Sequence, residues 1–256
     1  MQPRDPGVIA IIQARMGSSR LPGKVLKDIV GVPMLMREVM RVRRAQTVGQ
    51  VIVATTVEPG DDPIADVCRS KGIPYYRGDS MDVLDRYYQA AMFFGAETIV
   101  RLTGDCPLID PQEIDRTVRA FFDAGVDFAA NRLPPPWKRT TPIGMDTEVV
   151  SFEGLARAWR DADSRHAREH VMPYFYEQEG RFTVLLVDHV PDLSRYRLTV
   201  DTPEDLSLIR LIYDHFDGTD EFSVDDMITV LNEHPEWLEL NAGVIHKSYQ
   251  DTDDRF

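Results

Sequence analysis

The stretch Val8-Ile9-Ala10-Ile11-Ile12-Gln13-Ala14-Arg15-Met16-Gly17-Ser18-Ser19-Arg20-Leu21-Pro22-Gly23-Lys24 decides the reading of this chain. Val8–Ala14 is apolar on both faces apart from Gln13, as a strand must be when helices cover both sides of its sheet. The run is far too short for a membrane span or a signal peptide. A turn with two glycines, two serines and three cations follows it. Working outward, Gln50–Thr56, Thr98–Thr103 and Asp127–Ala130 read as further buried parallel strands. Amphipathic stretches at Met34–Arg44, Pro63–Lys71, Val83–Phe94 and Pro111–Ala124 read as the helices that join them. In the last of these, Ile114, Val118, Phe121 and Phe122 recur at helical spacing, with Pro111 suited to the first turn and Gly125 to the stop. The pattern is βαβα, an α/β fold with a mostly parallel sheet and helices on both faces.

From Asn131 the rhythm changes. Leu133-Pro134-Pro135-Pro136-Trp137 fits neither regular helix nor central strand and is read as a loop over the sheet. A separate layer is expected beyond it, with strands at Thr147–Phe152 and Phe182–Val187 and helices at Phe152–Ala162 and Arg168–Gln178. A short strand at Tyr196–Val200 leads to Thr202-Pro203-Glu204-Asp205, which carries the cap, proline and early acids of a helix reaching His215. An outer acidic helix is expected at Val224–Asn232, and Asp251–Phe256 is expected to fray.

The chain has 256 residues, 43% of them hydrophobic and 28% charged, enough to bury the core of one extended domain. Its net charge of -13 argues against nucleic acid or an acidic membrane as partner. Val8–Arg44 nevertheless holds eight basic residues against two acidic ones, while Asp201–Phe256 holds fifteen acidic against three basic. A local basic patch in an acidic protein suggests a small anion. Two cysteines, Cys68 and Cys106, are too few for a disulfide framework, so a reducing cytoplasm is expected.

In a parallel sheet, ligands bind at the carboxyl ends of the strands, where the turn after Val8–Ala14 lies. Small residues let backbone N–H groups approach phosphate oxygens, arginine adds a planar donor fork and lysine a point charge. The turn is a candidate phosphate cradle, with an ordinary solvated βα turn as its rival. It is not a Walker loop: five residues separate Gly17 from Gly23, and Val25 stands where Ser or Thr would hold magnesium. No G-x-G-x-x-G follows the strand, so a dehydrogenase is disfavoured. The second candidate is Val100-Arg101-Leu102-Thr103-Gly104-Asp105-Cys106-Pro107, which puts Asp105 at a strand end facing the same crevice. Asp201, in Thr199-Val200-Asp201-Thr202, is its candidate partner. Two carboxylates with phosphate oxygens and water suit Mg²⁺, while capping is the competing role for Asp201.

These residues together carry a resemblance. Gln13–Lys24 with Asp28-Ile29-Val30-Gly31-Val32-Pro33, Asp82–Ala90, Leu102–Ile109, Arg168–Val171 and Val200–Asp205 resemble the cytidylyltransferases that activate acidic sugars, including CMP-sialic acid and CMP-Kdo synthetases. The SpsF-like spore coat polysaccharide branch is the nearer match, over roughly residues 8 to 216. The resemblance implies a nucleotide-diphospho-sugar transferase fold in one nucleotidyltransferase domain. Residues 132–190 would be an inserted sugar-binding and dimerisation segment, and 217–256 a C-terminal helical extension. It implies that Ala14, Arg15, Gly17, Ser18, Arg20 and Lys24 hold the nucleotide, joined by Asp85 and Arg86. Asp105 and Asp201 would hold Mg²⁺. Arg168, Glu169 and His170 are read as opening a helix near the sugar pocket, where the cation and the histidine meet a substrate carboxylate, with a surface ion network as the rival role. Arg15, Lys24 and Asp105 are the catalytic candidates, and no general base is assigned. The implied reaction moves CMP from CTP to an acidic sugar with release of pyrophosphate, in a homodimer. Thr103-Gly104-Asp105-Cys106-Pro107 departs from the Gln-Gly-Asp-Glu-Pro of the Kdo enzymes, so the sugar and the base are left open.

Other classes stay in view. Asp161-Ala162-Asp163 spells the D-x-D of metal-dependent glycosyltransferases, at the end of an expected helix where residues two apart diverge. His166-Ala167-Arg168-Glu169-His170 spells the H-x-x-E-H of a zinc hydrolase, with no downstream third ligand in evidence. A non-catalytic nucleotide sensor would bind CTP and release nothing. Cys106 and the tryptophans Trp137, Trp159 and Trp237 read as structure.

Overall fold

Alternate side chains of the first strand feed two different cores, and this sets the layering of the molecule. In the computed structural model, which describes residues 4–245, β1 (Val8–Gln13) sends Val8, Ala10 and Ile12 to one side and Ile9 and Ile11 to the other. The chain continues through a small hairpin, β2 (Asp28–Ile29) and β3 (Val32–Pro33), then α1 (Met34–Val42), β4 (Gln50–Thr56), α2 (Asp62–Ser70), β5 (Tyr75–Gly78) and α3 (Val83–Phe94). Next come β6 (Thr98–Thr103), α4 (Pro111–Ala124), β7 (Phe128–Ala130), β8 (Glu148–Ser151), α5 (Phe152–Asp161), α6 (Arg165–His170) and α7 (Pro173–Tyr176). The order closes with β9 (Val184–Leu186), α8 (Pro203–His215) and α9 (Val224–Glu233).

Seven strands form one sheet in the order β5-β4-β1-β6-β8-β7-β9. β1 pairs in parallel with β4 on one side and β6 on the other, opposing Gln13 to Ala54 and to Thr103. Helices α1, α2, α4, α8 and α9 pack on the face of Val8, and α3, α5, α6 and α7 on the face of Ile9. The ends of the helices obey the local chemistry. Asp110 accepts from the Gln112 N–H before α4, and Gly125 ends that helix at a left-handed φ of 59°. Thr202 and Asp205 form a reciprocal capping box at α8.

Several expectations are corrected. The segment beyond Asn131 makes no separate layer: β8 and β9 enter the main sheet. β8 runs antiparallel between β6 and β7, so β7 shares the direction of β6 without touching it. Tyr196–Val200 is extended but forms no ladder strand; Leu198 N–H donates to Ile143 O and Val200 N–H to Asp105 O. The helix expected at Arg168–Gln178 starts earlier, at Arg165, where Ser164 caps it, and breaks at Val171, which sits at φ 70°. That conformation is costly for a β-branched residue and ends the α6 ladder. β5 was not anticipated.

The basic stretch is not one surface patch. Arg37 is buried against the carbonyls of Ile29, Val30 and Gly218, and Arg41 against those of Ile109, Asp220 and Phe222. Only part of the stretch, centred on Arg15, Arg20 and Lys24, faces an open cleft. Both cysteines are buried free thiols. Beyond residue 217 the described chain carries α9 and a 3-10 turn at Pro235–Leu240, and Asp251–Phe256 lies outside the described residues. Among the described residues no helix is long and apolar enough to cross a membrane.

Candidate active site

The turn after β1 is shaped by a backbone bond that joins its two ends and by a buried carboxylate beneath it. Gly23 takes a left-handed φ of 68° and returns its N–H to Met16 O at 2.9 Å. Met16 N–H donates in turn to Asp61 Oδ1 at 2.6 Å, and Thr56 Oγ1 donates to the other oxygen of Asp61. Asp61 is buried, so it fixes the loop from beneath. The sequence presents Asp61 only as the residue before a helix, and nothing local marks its reach to Met16.

β6 delivers Asp105 beside this turn. A Cβ on Gly104 would stand 2.9 Å from Gln13 O and 3.2 Å from the Ala14 Cβ, so only glycine lets the two strand ends close up here. Asp105 Oδ1 accepts from Thr103 Oγ1 at 2.7 Å. The Asp105 carbonyl accepts from Val200 N–H at 2.9 Å and Thr199 Oγ1 at 3.0 Å, which brings Asp201 alongside.

Lys24 joins the three segments. Its ammonium donates to Asp105 Oδ2 and Asp201 Oδ1, each at 2.9 Å, and to Val200 O at 2.8 Å. Asp201 Oδ2 pairs with Arg197 at 2.8 Å and Arg20 at 3.0 Å. Burial opposes charge on Lys24, but the two carboxylates outweigh it and raise its pKa above the ordinary lysine value. Burial likewise opposes charge on Asp201, yet Lys24, Arg197 and Arg20 hold its carboxyl well below the usual range. The residues around this cluster, among them Ala14, Arg15, Gly17, Ser18 and Thr103, line a cleft of about 270 Å³. Two carboxylates flank one cationic point at the mouth of a basic turn, with the ammonium standing in as the cation between them. That donor set fits Mg²⁺, which takes one or two carboxylates and draws its other ligands from phosphate and water.

A second cleft of about 190 Å³ shares Gln13, Ala14 and Arg15 with the first and extends to Ser80, Met81, Arg86, Arg101, Glu169 and His170. Arg86 is buried and donates to Asp79 O at 2.7 Å. Arg101 is held by Glu148 and by Gln13 Oε1. Burial, then His166, pushes the His170 imidazole down to about 4, so it is neutral at physiological pH. The sequence reading passed over Gln13, Ser80, Met81 and Arg101. A charged residue inside the otherwise apolar Thr98–Leu102 run was the available signal for Arg101.

Two expected site residues lie elsewhere. Asp85 Oδ1 accepts from Trp159 Nε1 at 2.8 Å and Gln89 Nε2 at 3.1 Å, so it ties α3 to α5 and does not line either cleft. Arg168 is clamped to the Asp82 carboxylate and the Trp159 carbonyl, a brace between α6 and the start of α3. Helix phase decides both: Glu169 and His170 face the cleft while Arg168 faces α3. Asp161 and Asp163 are exposed, with Asp161 held by Arg160. His166 pairs with Glu177 at 3.0 Å, and no group of three or more His, Cys, Asp or Glu among the described residues is arranged to hold a metal. Burial and the adjacent Asp105 push the Cys106 thiol well above its ordinary pKa, which leaves it inert.

A mostly parallel sheet bearing a cationic glycine turn against two strand-end carboxylates is the arrangement of a nucleotidyltransferase. Residues 9–222 match the cytidylyltransferase family, and the chain belongs to that family. It is 33% identical over 237 residues to the spore coat polysaccharide biosynthesis protein SpsF of Bacillus subtilis, covering 90% of this chain and 95% of that one. It is 39% identical over 244 residues to a 3-deoxy-manno-octulosonate cytidylyltransferase of Mesorhizobium japonicum, covering 80% and 98% respectively. Among solved structures, a cytidylyltransferase from Leptospira borgpetersenii superposes with a TM-score of 0.86 at 33% identity, over 94% of this chain and 99% of that one.

Proposed function

We propose that this cytidylyltransferase moves CMP from CTP to an acidic sugar, sialic acid-like or Kdo-like, with Mg²⁺ as cofactor and pyrophosphate as the second product. The observation that carries the reading is the Lys24 ammonium, 2.9 Å from both Asp105 and Asp201 at the end of the glycine turn. The triphosphate takes the cleft of Arg15, Gly17, Ser18, Arg20 and Lys24. The acceptor and the nucleoside share the neighbouring cleft. There His170 Nε2 is buried without a hydrogen-bond partner among the described residues, a contact suited to a substrate hydroxyl.

In the reaction an acceptor hydroxyl oxygen forms a bond to the α-phosphorus while the bond from that phosphorus to the bridging oxygen breaks. The hydroxyl proton passes to solvent water and pyrophosphate leaves with the electron pair of the broken bond. Asp105 and Asp201 would hold Mg²⁺, which when bound neutralises charge growing on the phosphates. Lys24, released from the carboxylates, turns its charge to the triphosphate, and Arg15 and Arg20 add theirs. Backbone N–H groups of the turn orient the chain of phosphates, and the rigid strand ends align attacking and leaving oxygens. The names of the SpsF and 3-deoxy-manno-octulosonate relatives support an acidic sugar and a role in surface polysaccharide or glycoconjugate synthesis. The same reading carries a homodimer through residues 132–190, which light scattering tests.

A pyrophosphate-release screen of the purified protein tests the reaction, using the four nucleoside triphosphates, Mg²⁺ and a panel of acidic sugars. Release with CTP and one class of sugar acid is expected. Release of a free nucleoside diphosphate from a sugar nucleotide would instead mark a glycosyltransferase, and no release with any acceptor would mark a sensor.

A further inference from the structure

We infer that Asn241, beyond the region that matches the family, is a positioning residue for the Asp201 carboxylate, which makes the C-terminal turn a working part of the active site. The family match ends at residue 222. Asn241 lies just past the 3-10 turn Pro235–Leu240 and is buried. Its Nδ2 donates to Asp205 Oδ1 at 2.9 Å and to the Arg197 carbonyl at 3.1 Å. Both residues touch Asp201: Asp205 accepts from its backbone N–H, and the Arg197 guanidinium pairs with its carboxylate.

Asp205 is fully buried, and its carboxylate orients the start of α8. Oδ2 accepts from the backbone N–H groups of Asp201 at 2.9 Å and Thr202 at 3.1 Å. Arg197 spans the two aspartates. Its Nε donates to Asp205 Oδ1 at 2.9 Å, and one terminal nitrogen donates to Asp205 Oδ2 at 3.0 Å and to Asp201 Oδ2 at 2.8 Å. The other guanidinium on Asp201 Oδ2 belongs to Arg20, which donates to the Ile245 carbonyl at 3.2 Å. Segment 241–245 thus meets the Arg20 guanidinium directly, through Ile245 O, and the Arg197 guanidinium through the shared acceptor Asp205 Oδ1. A buried carboxylate such as Asp205 needs its donors, and losing one relaxes whatever the carboxylate orients. The turn itself is docked by Trp237 and Leu238, which pack on the core, so removal of the Asn241 amide leaves its anchorage in place.

The inference rests on the proposed role of Asp201 at the cation site, and its test separates the two. Mn²⁺ binding is measured by electron paramagnetic resonance in the presence of CTP, on the full chain and on Asn241→Ala, Asn241→Ser and Asp201→Asn. Asn241→Ala is expected to weaken Mn²⁺ binding about 10-fold, the lower end of the loss seen when a residue that supports a metal ligand is removed. Asp201→Asn should weaken it further. Asn241→Ser retains one donor, is expected to fall between Asn241→Ala and the parent, and carries the test if Asn241→Ala does not fold. Wild-type affinity in a folded Asn241 variant, with loss in Asp201→Asn, overturns the positioning role and leaves the cation site standing. Unchanged affinity in both overturns the cation site and the inference with it.

Discussion

The Lys24 ammonium donates to Asp105 Oδ2 at 2.9 Å, across 81 positions of sequence. The contact closes the glycine turn on the end of β6 and puts opposite charges where a phosphate and its counter-ion must meet. Asp105→Ala removes one of the two carboxylates and frees Lys24 on that side. Turnover is expected to fall by roughly 3 kcal/mol or more of transition-state stabilisation, the scale of losing a key electrostatic group. Steady-state pyrophosphate release measures it, and near-normal turnover would refute the assignment.

Asp61 supports the same turn from below. Asp61→Ala leaves the Met16 N–H and the Thr56 hydroxyl without their buried acceptor, at a stability cost of about 1–3 kcal/mol. The KM for CTP should rise about 10-fold, equivalent to about 1.4 kcal/mol, with a smaller change in kcat. Asp61→Asn retains one acceptor oxygen and should recover part of the loss. Equal KM values for the three proteins would show that the loop keeps its shape without this anchor.

Arg41 carries structure alone. Its guanidinium satisfies the carbonyls of Ile109, Asp220 and Phe222 and lies 4.3 Å from the Phe222 ring centroid. Arg41→Met orphans these carbonyls and should destabilise the fold by about 3 kcal/mol, a drop in Tm of roughly 6–12 °C for a chain of this size. Activity per folded molecule should be unchanged at low temperature. A Tm within a degree of the parent would contradict this.

Glu38 gives a pH signature. It is fully buried on α1, and burial, then the Asp105 charge, pushes its carboxyl well above the ordinary value. An unfolded glutamate titrates near ~4.3. The native state therefore binds the extra proton above that pH, and the stability linked to it is present in acid and lost as pH rises through the native pKa. Glu38→Gln carries no such loss. Its Tm advantage over the parent should grow from pH 5 to pH 9 in thermal melts. A difference independent of pH would sink the argument.

Much of this architecture was open to sequence reading, for identifiable reasons. β1, β4 and β6 are covered on both faces, so their unbroken apolar runs stand out, and α4 carries its proline, its period and its glycine stop. β5 does not, because Pro74, Arg77 and a half-buried edge position blur the alternation. The direction of β8 depends on how residues 131–147 cross the sheet, which no local pattern encodes. Asp105, Asp201 and Lys24 were legible because each sits beside a strand end or in its turn. Asp85 and Arg168 lie away from the two clefts, because position in a motif says nothing of which face of a helix a side chain takes. Asp61 and Asn241 act on the site through partners 45 and 36 residues distant, which only the folded chain reveals.

The central claim is that Asp105, Asp201 and Lys24 together grip a triphosphate with a divalent ion, and calorimetric titration of CTP with and without Mg²⁺ tests it most directly. The account predicts that Mg²⁺ strengthens CTP binding to the wild-type protein by about 10-fold, or 1.4 kcal/mol, and that this gain vanishes in the Asp105→Ala/Asp201→Ala double variant. Equal wild-type affinities in both conditions, or a double variant that keeps the full gain, would contradict it.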